Sequence, residues 1–485
     1  MSILVVDVGT SQVRASVVRA DATVGAVERV PLPPSSPAPG LVEVDAAAMA
    51  VAVRDCAGAA LAAGGPVEAV GVANQRATTV VWDRATGEPV APALSWQDLR
   101  TVGTCLELQA AGVRLGPTES ATKVAAILDA VDPDRRRDLC FGTVDSWVAW
   151  VLSAGELHVT DATNAGVTGL VTRDGSAWDP AVLDVLRVPA GMLPAIVDST
   201  GVLGPATALP GAPPIAGLCG DQQASLVGQG CTVPGMAKAT FGTGAMLDCC
   251  VGTARPAFGR QGPSGTIPVV AWRRAGRVTW GVEALMLTAG TCVEWLCDDL
   301  GLIPDPAASD ELAASCADPG DVWFVPALLG LGTPVWDYGA RGTLLGLTRG
   351  TGRAEVVHAV LRGIAHRGAD LLQAAEADTG LAPETLRVDG AMSANRTFVQ
   401  ALADATGRPV EVSRELEATS LGAAFLAGMA VGTWADEADV AAAWQPGRVV
   451  EPAVDDATRT SLRARWLQAR QRAERTIPEL SDLSF

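Results

Sequence analysis

The sequence has one tyrosine, three histidines (His158, His358, His366), two lysines (Lys123, Lys238) and no C-x-x-C among its ten cysteines. No cysteine has a histidine spaced as a co-ligand, so neither a zinc site nor a disulfide framework is signalled. The remaining basic residues are arginines not gathered into long runs, and the formal net charge is -18. A nucleic-acid partner calls for a basic face, so none is expected. Met1 to Val8 lacks the basic start of a signal peptide and reaches Asp7 early. The longest uncharged stretches, such as Ser199 to Gly220, are too rich in Gly and Pro to cross a bilayer as helix. These absences predict a soluble, reduced, cytoplasmic protein with no membrane partner. Neither G-x-x-x-x-G-K-[ST] nor G-x-G-x-x-G occurs, which removes the P-loop and the dinucleotide fingerprint.

What is present is a chain of 485 residues, enough for two or three domains with their own cores. The apolar run Ile3 to Val6 predicts a strand buried on both faces. It ends in Asp7-Val8-Gly9-Thr10-Ser11, and alternation returns at Gln12 to Val18, so a hairpin is expected with that turn at its tip. Ala69 to Ala73 predicts a strand leading into Asn74-Gln75-Arg76. Around Gly228 to Gly235 the chain turns polar and Gly- and Pro-containing, which sets the expected boundary between domains 1–232 and 233–485. Just beyond it Ala237 to Phe241, Gly242-Thr243-Gly244 and Ala245 to Cys250 echo the opening hairpin. Helices are predicted over Ala354–Thr379, Ala394–Thr406 and Thr419–Val431, each closed by a glycine, with a strand ending in Asp389-Gly390 among them. Alternating strands and helices in both halves indicate α/β domains.

Three strand-end loops combine glycine with a hydroxyl or carboxylate: Asp7 to Ser11, Gly242 to Gly244, and Asp389-Gly390. Such loops expose backbone N–H groups and let the chain approach a polyphosphate closely; each alone is equally a plain turn. A fourth element is sharper. Gly217-Leu218-Cys219-Gly220-Asp221-Gln222-Gln223 is an apolar strand ending in Gly, an acid and two amides. A carboxylate there can accept the proton of a hydroxyl attacking a phosphoryl group, or can cap the following helix.

The run Gly71 to Asp83, with Ser95-Trp96-Gln97-Asp98, Gly220 to Gln223, Phe241 to Gly244, Gly40 to Asp45, Ala340-Arg341-Gly342, Gly346 to Gly350, Arg387 to Gly390 and Glu417 to Ala424, resembles the FGGY carbohydrate kinases over nearly the whole chain, and most closely their glycerol-kinase branch. The resemblance implies two ribonuclease-H-like α/β domains of the actin-like ATPase type, with the active site in the cleft between them. It implies ATP and Mg²⁺ as cofactors. Asp7, Gly9, Thr10, Ser11 and Arg14 would wrap the phosphates, Asp7 holding Mg²⁺ through water. Gly242, Thr243 and Gly244 would meet the phosphates from the other domain, Gly290 would line the nucleotide site, and Gly390 with Asn395 would hold the adenosine. Asp221 would be the general base. Ala391 stands where the family has a second glycine after Asp-Gly.

For substrate, the resemblance maps Arg76, Ala77, Trp96, Thr118, Asp221, Gln222 and Met246 onto positions where glycerol kinases carry Arg, Glu, Trp, Tyr, Asp, Gln and an aromatic. Three of these seven differ, and the neighbouring Glu119 is a candidate to refill the pocket. Unpaired hydroxyls cost about 1 to 3 kcal/mol each. The leading expectation is therefore an ATP-dependent kinase for a primary hydroxyl of a small polyol or sugar. Glycerol phosphorylation itself is the alternative, a non-catalytic ATP-binding sensor ranks below both, and homo-oligomerisation is left open. His358 and His366 read as ordinary helix residues, Cys249-Cys250 as core strand, and Arg135-Arg136-Arg137 as a solvated surface turn.

Overall fold

The opening hairpin folds as its pattern predicts. In the computed structural model, which describes residues 1–316, 318–415 and 417–483, β1 (Ser2–Val8) pairs antiparallel with β2 (Gln12–Arg19), Val8 opposite Val13. β2 continues to β3 (Glu28–Pro31). On its other side β1 runs parallel to β4 (Ala69–Asn74), and β4 runs parallel to β6 (Pro214–Gly220), which is edged by antiparallel β5 (Thr200–Pro205).

The second half repeats this order. β7 (Ala237–Phe241) pairs antiparallel with β8 (Ala245–Gly252), and β8 with β10 (Arg277–Met286), which is followed outward by β9 (Ile267–Arg274). On the other side β7 runs parallel to β11 (Leu386–Asp389) and β11 to β12 (Val410–Ser413), closed by antiparallel β13 (Pro446–Val450). The echo between the two hairpins is thus a repeat of strand order, consistent with two ribonuclease-H-like halves. The sheets abut through one residue pair, Thr200 with Arg274, which makes a continuous order of 13 strands.

Parallel neighbours need crossover connections, and helices supply them. α1 (Ala46–Gly64) starts at Asp45, whose side chain accepts from the Ala48 N–H. By length and composition α1 could cross a membrane. Here Met49, Val53, Cys56 and Ala57 are buried in the first-half core with Leu4, Val6, Trp82 and Trp147. α2 (Asp221–Gly228) follows β6, and α3 (Gly290–Asp298), α4 (Arg353–Thr379), α5 (Arg396–Thr406), α6 (Ala418–Val431) and α7 (Asp456–Ala473) belong to the second half. α5 begins two residues later than its pattern suggests, because Ala391–Ala394 forms a 3-10 turn and Asn395 caps the helix.

α6 matters most for the site. Although late in the chain, its Leu421, Phe425 and Leu426 pack with Ile3, Val5, Ala73 and Cys219 of the first sheet. Its backbone touches α2 directly: a Cβ on Gly422 would lie 1.7 Å from the Ala224 carbonyl oxygen, and one on Gly228 would lie 1.9 Å from that of Ala418. Any larger residue would force the helices apart. The helix that begins with Asp221 is thereby clamped to the second half.

His358 and His366 lie on α4, as expected, and the His358 ring nitrogen Nδ1 is 2.9 Å from the Cys316 carbonyl oxygen. His366 is buried against Trp466, and burial with Arg463 nearby pushes its pKa down to about 3. Beside it burial alone would raise Asp370, but Arg367, Arg463 and Arg470 hold it at about 2, tying α7 to α4. Cys249 and Cys250 are buried on β8. The arginine trio departs from expectation: Arg136 is exposed, but the Arg135 side chain is largely buried and donates to the carbonyls of Asp132 and Arg187. A turn whose carbonyls need donors draws in a guanidinium that pattern alone leaves in solvent.

Candidate functional site

Register in the first hairpin sets Asp7 opposite Arg14, and the Arg14 guanidinium meets the Asp7 carboxylate at 2.5 Å. Burial raises the Asp7 pKa to about 6, with Arg14 opposing and the charge of Asp221 adding to the rise, so the two acids share one electrostatic environment. Arg14 also pairs at 3.0 Å with Glu417, just before α6, and Glu417 takes Arg29 at 2.9 Å. Glu417 is not among the expected site residues; in the sequence it stands only as the first residue of the Glu417 to Ala424 motif, two residues before the predicted final helix. The turn is braced from outside: Gln75 donates to the Gly9 carbonyl at 3.1 Å, and the Trp96 indole N–H donates to Thr10 Oγ1 at 3.3 Å. Ser11 lies exposed beside them.

The second hairpin is pressed onto the start of α3. The Gly290 N–H donates to the Gly242 carbonyl at 2.8 Å, and the Ala289 N–H to that of Thr243 at 2.8 Å. A Cβ on Gly290 would stand 2.6 Å from the Gly242 oxygen. Gly390 adopts φ 86° after β11, and a Cβ there would meet the Phe241 oxygen at 2.4 Å. Gly242, Gly244, Gly290 and Gly390 therefore converge around the ends of β7 and β11, with Thr243 exposed at the tip. Asn395 follows on the same turn, where its amide oxygen caps α5 through the Phe398 N–H and its amide nitrogen donates to Ser309.

At the end of β6 the chain turns sharply into α2. Gly220 is the helix N-cap, so Asp221 occupies the first helical position, and its carboxylate accepts from the Gln222 N–H at 2.8 Å. Its side chain keeps 30% of its exposure and lies 3.6 Å from Arg76 Nε. Burial raises the Asp221 pKa above the usual carboxylate range, with Arg76 and the Gln222 N–H opposing. Arg76 reaches Glu283 at 2.6 Å, and its Nη2 lies 3.9 Å from Met246 Sδ. Burial works against its charge, but Glu283, Asp221 and Asp248 outweigh that and hold Arg76 ionised. Gln222 accepts from Lys238 at 2.8 Å. The structure thus brings Arg76, Asp221, Gln222 and Met246 together, with Asp7 and Arg14 electrostatically coupled to them.

The remaining expected substrate residues sit differently. Ala77 is buried with φ 59°, its carbonyl fixed by Ser120 Oγ at 3.0 Å and Thr79 Oγ1 at 3.2 Å. Thr118 is exposed. Glu119 is engaged locally, accepting from the Gly116 N–H at 2.7 Å and pairing with Arg260.

Lys123 holds the backbone of the residue that precedes Trp96. Fully buried, it donates to the Ser95 carbonyl at 2.6 Å, and burial lowers its pKa from 10.5 to about 7. Between these values the native state binds fewer protons than the unfolded chain, so this lysine makes stability rise with pH from about 7 upward. Lys123→Met is expected to be better tolerated at pH 7 than at pH 9 relative to wild type. Thermal unfolding at both values checks this; an equal difference at the two would remove the buried charge as the cause.

Two glycine-rich loops, one from each half, together with a strand-end carboxylate paired with an arginine, form a set of groups suited to in-line phosphoryl transfer. The chain matches the N-terminal domain of the FGGY family of carbohydrate kinases over residues 2–228 and the C-terminal domain over 237–431. It is 42% identical over 491 residues to a glycerol kinase of Aromatoleum aromaticum, covering 97% of this chain and 98% of that one. It is 42% identical over 498 residues to one of Rhodospirillum centenum, covering 98% and 99%. Among solved structures, Plasmodium falciparum glycerol kinase with ADP superposes with a TM-score of 0.90 at 27% identity, covering 97% and 98%. A ligand-bound xylulose kinase from Lactobacillus acidophilus shares the fold with a TM-score of 0.85 at 19% identity, covering 97% of both chains. With family domains matched across both halves and the same two-domain actin-like ATPase fold in its relatives, the chain belongs to the FGGY family of carbohydrate kinases.

Proposed function

We propose that this kinase phosphorylates a primary hydroxyl of a small polyol or sugar of four to six carbons, with domains 1–232 and 233–485 closing on it. ATP with Mg²⁺ is the phosphoryl donor of the family, supplying the γ-phosphoryl group when bound. The cleft fits this donor: glycines at 244, 290 and 390 leave no room for side chains beside the second hairpin, and Asp7 is a buried acid beside the first. Among the described residues no three His, Cys, Asp or Glu side chains converge on a metal position. Mg²⁺ keeps several waters and takes one or two carboxylates plus substrate phosphates, so Asp7 suffices as the protein's share.

In the proposed reaction Asp221 accepts the proton of the substrate hydroxyl as its oxygen bonds to the γ-phosphorus and the bond to the leaving ADP breaks. Arg76 steadies the carboxylate, Gln222 hydrogen-bonds the same end of the substrate, and Trp96 forms an apolar wall. The observation that carries the reading is Asp221, half-buried with a raised pKa beside Arg76, at the mouth of the strand between the two glycine loops. Ala77 and Met246 leave the pocket wider and poorer in acceptors than a site built for glycerol. The 42% identity to glycerol kinases over nearly the full chain favours glycerol as the second reading. ADP release measured over a panel of glycerol, tetritols, pentitols, hexitols and ketoses tests both: a longer polyol or sugar should give the highest kcat/KM, and turnover of none would remove the kinase reading.

A further inference from the structure

The register of β7, β8 and β10 places three charged side chains side by side: Lys238 opposite Asp248, and Asp248 opposite Glu283. All three are buried, Lys238 with 0% of its side chain exposed. Two carboxylates in directly opposed positions repel. Each is therefore held by a cation: Lys238 meets Asp248 at 2.8 Å, and Arg76 meets Glu283 at 2.6 Å. Burial still pushes Glu283 up to about 7.

Both ends of this row cross between the two halves. Arg76 and Gln222 come from the first, while Lys238, Asp248 and Glu283 come from the second. The contact with Gln222 has a directional consequence. An ammonium has three donors and no acceptor; Lys238 donates to Gln222 Oε1 at 2.8 Å and Thr240 Oγ1 at 3.0 Å while forming an ion pair with the Asp248 carboxylate at 2.8 Å. Gln222 must then turn its oxygen to Lys238, which leaves its NH₂ free to donate to a hydroxyl oxygen in the cleft. Without Lys238 the amide can flip and present an acceptor instead.

We propose that Lys238, held in place by its ion pair with Asp248, is a positioning residue that fixes the amide orientation of Gln222 from across the domain boundary and so sets the hydrogen-bond polarity of the substrate pocket; this rests on the kinase reading above. Glu283 does the same for Arg76 at the other end of the row.

Lys238→Met alone would strand Asp248 unpaired, so the informative variant is Lys238→Met with Asp248→Leu. Replacing a buried ion pair by apolar residues of similar volume is often neutral for stability. The pair variant is expected to retain the wild-type unfolding temperature and ATP KM while raising the KM of the preferred polyol or sugar about 10-fold or more. In a Gln222→Ala background the same pair change should add less than about 2-fold. Additive effects, or an ATP KM rising in parallel, would overturn the proposal. The side-chain amide resonances of Gln222, assigned by their loss in Gln222→Ala, give a readout that needs no substrate: they should shift or broaden in the pair variant, and unchanged signals would also overturn it. A wild-type enzyme inactive on the whole panel counts against the kinase reading, and the resonances then decide the network alone.

Discussion

Asp221→Asn is expected to lower kcat by about 10²- to 10⁴-fold while leaving the KM for ATP nearly unchanged. The two carboxamide atoms replace the two carboxylate oxygens in shape, so the amide oxygen can still accept from the Gln222 N–H at the start of α2. Arg76 loses one anionic neighbour but keeps Glu283 at 2.6 Å, and the clamp of α2 against α6 is untouched. What is lost is the ability to take a proton, and with it the base's share of the transition state. ATP affinity should hold because the glycine loops and the Asp7 and Arg14 pair are spared; removing the Asp221 charge even relieves one cause of the raised Asp7 pKa. Steady-state kinetics with both substrates varied separate these effects. Unaltered kcat would remove Asp221 from its role, and a large rise in ATP KM would move it to the nucleotide site.

Part of this site could be read from the chain because its signals are local. A buried apolar run ending in Asp-x-Gly-Thr-Ser, a second ending in Gly-Thr-Gly, and a third ending in Gly-Asp-Gln-Gln each declare a strand and the loop at its tip within a dozen residues. The glycine stops at 380, 407 and 432 close their helices in the left-handed conformation, as the pattern required. The rest depends on register between distant segments. Lys238, Asp248 and Glu283 look like isolated charges in apolar strands until β7, β8 and β10 align them. Glu417 becomes a partner of Arg14 only because α6 packs back onto the first sheet. Local pattern also misjudged exposure. Arg135 is drawn into its turn by carbonyls 132 and 187, and Glu119, which seemed free to enter the pocket, is held by Gly116 and Arg260.

Rebuilding the pocket with Ala77→Glu, Thr118→Tyr and Met246→Phe is expected to shift the kcat/KM ratio of glycerol to the preferred longer substrate by about 100-fold or more toward glycerol, since each restored acceptor or filled volume contributes about 1 to 3 kcal/mol. The three changes should not contribute equally. Ala77 already occupies the left-handed region, at φ 59°, so a glutamate there adds no new class of backbone strain. With its carbonyl pinned by Ser120 and Thr79, the direction of its Cβ is set, and Ala77→Glu should carry most of the shift. Met246, whose sulfur is 3.9 Å from the Arg76 guanidinium, stands next to the retained end of the pocket, so a ring at this position should narrow it and penalise extra carbons. Thr118 is exposed, and a tyrosine at this position should add least. Single, double and triple variants assayed against glycerol and the preferred substrate test this order. If the unmodified enzyme already handles glycerol better than every longer polyol and ketose, the widened pocket does not set its preference, and Ala77, Thr118 and Met246 belong to a glycerol site rebuilt by other residues.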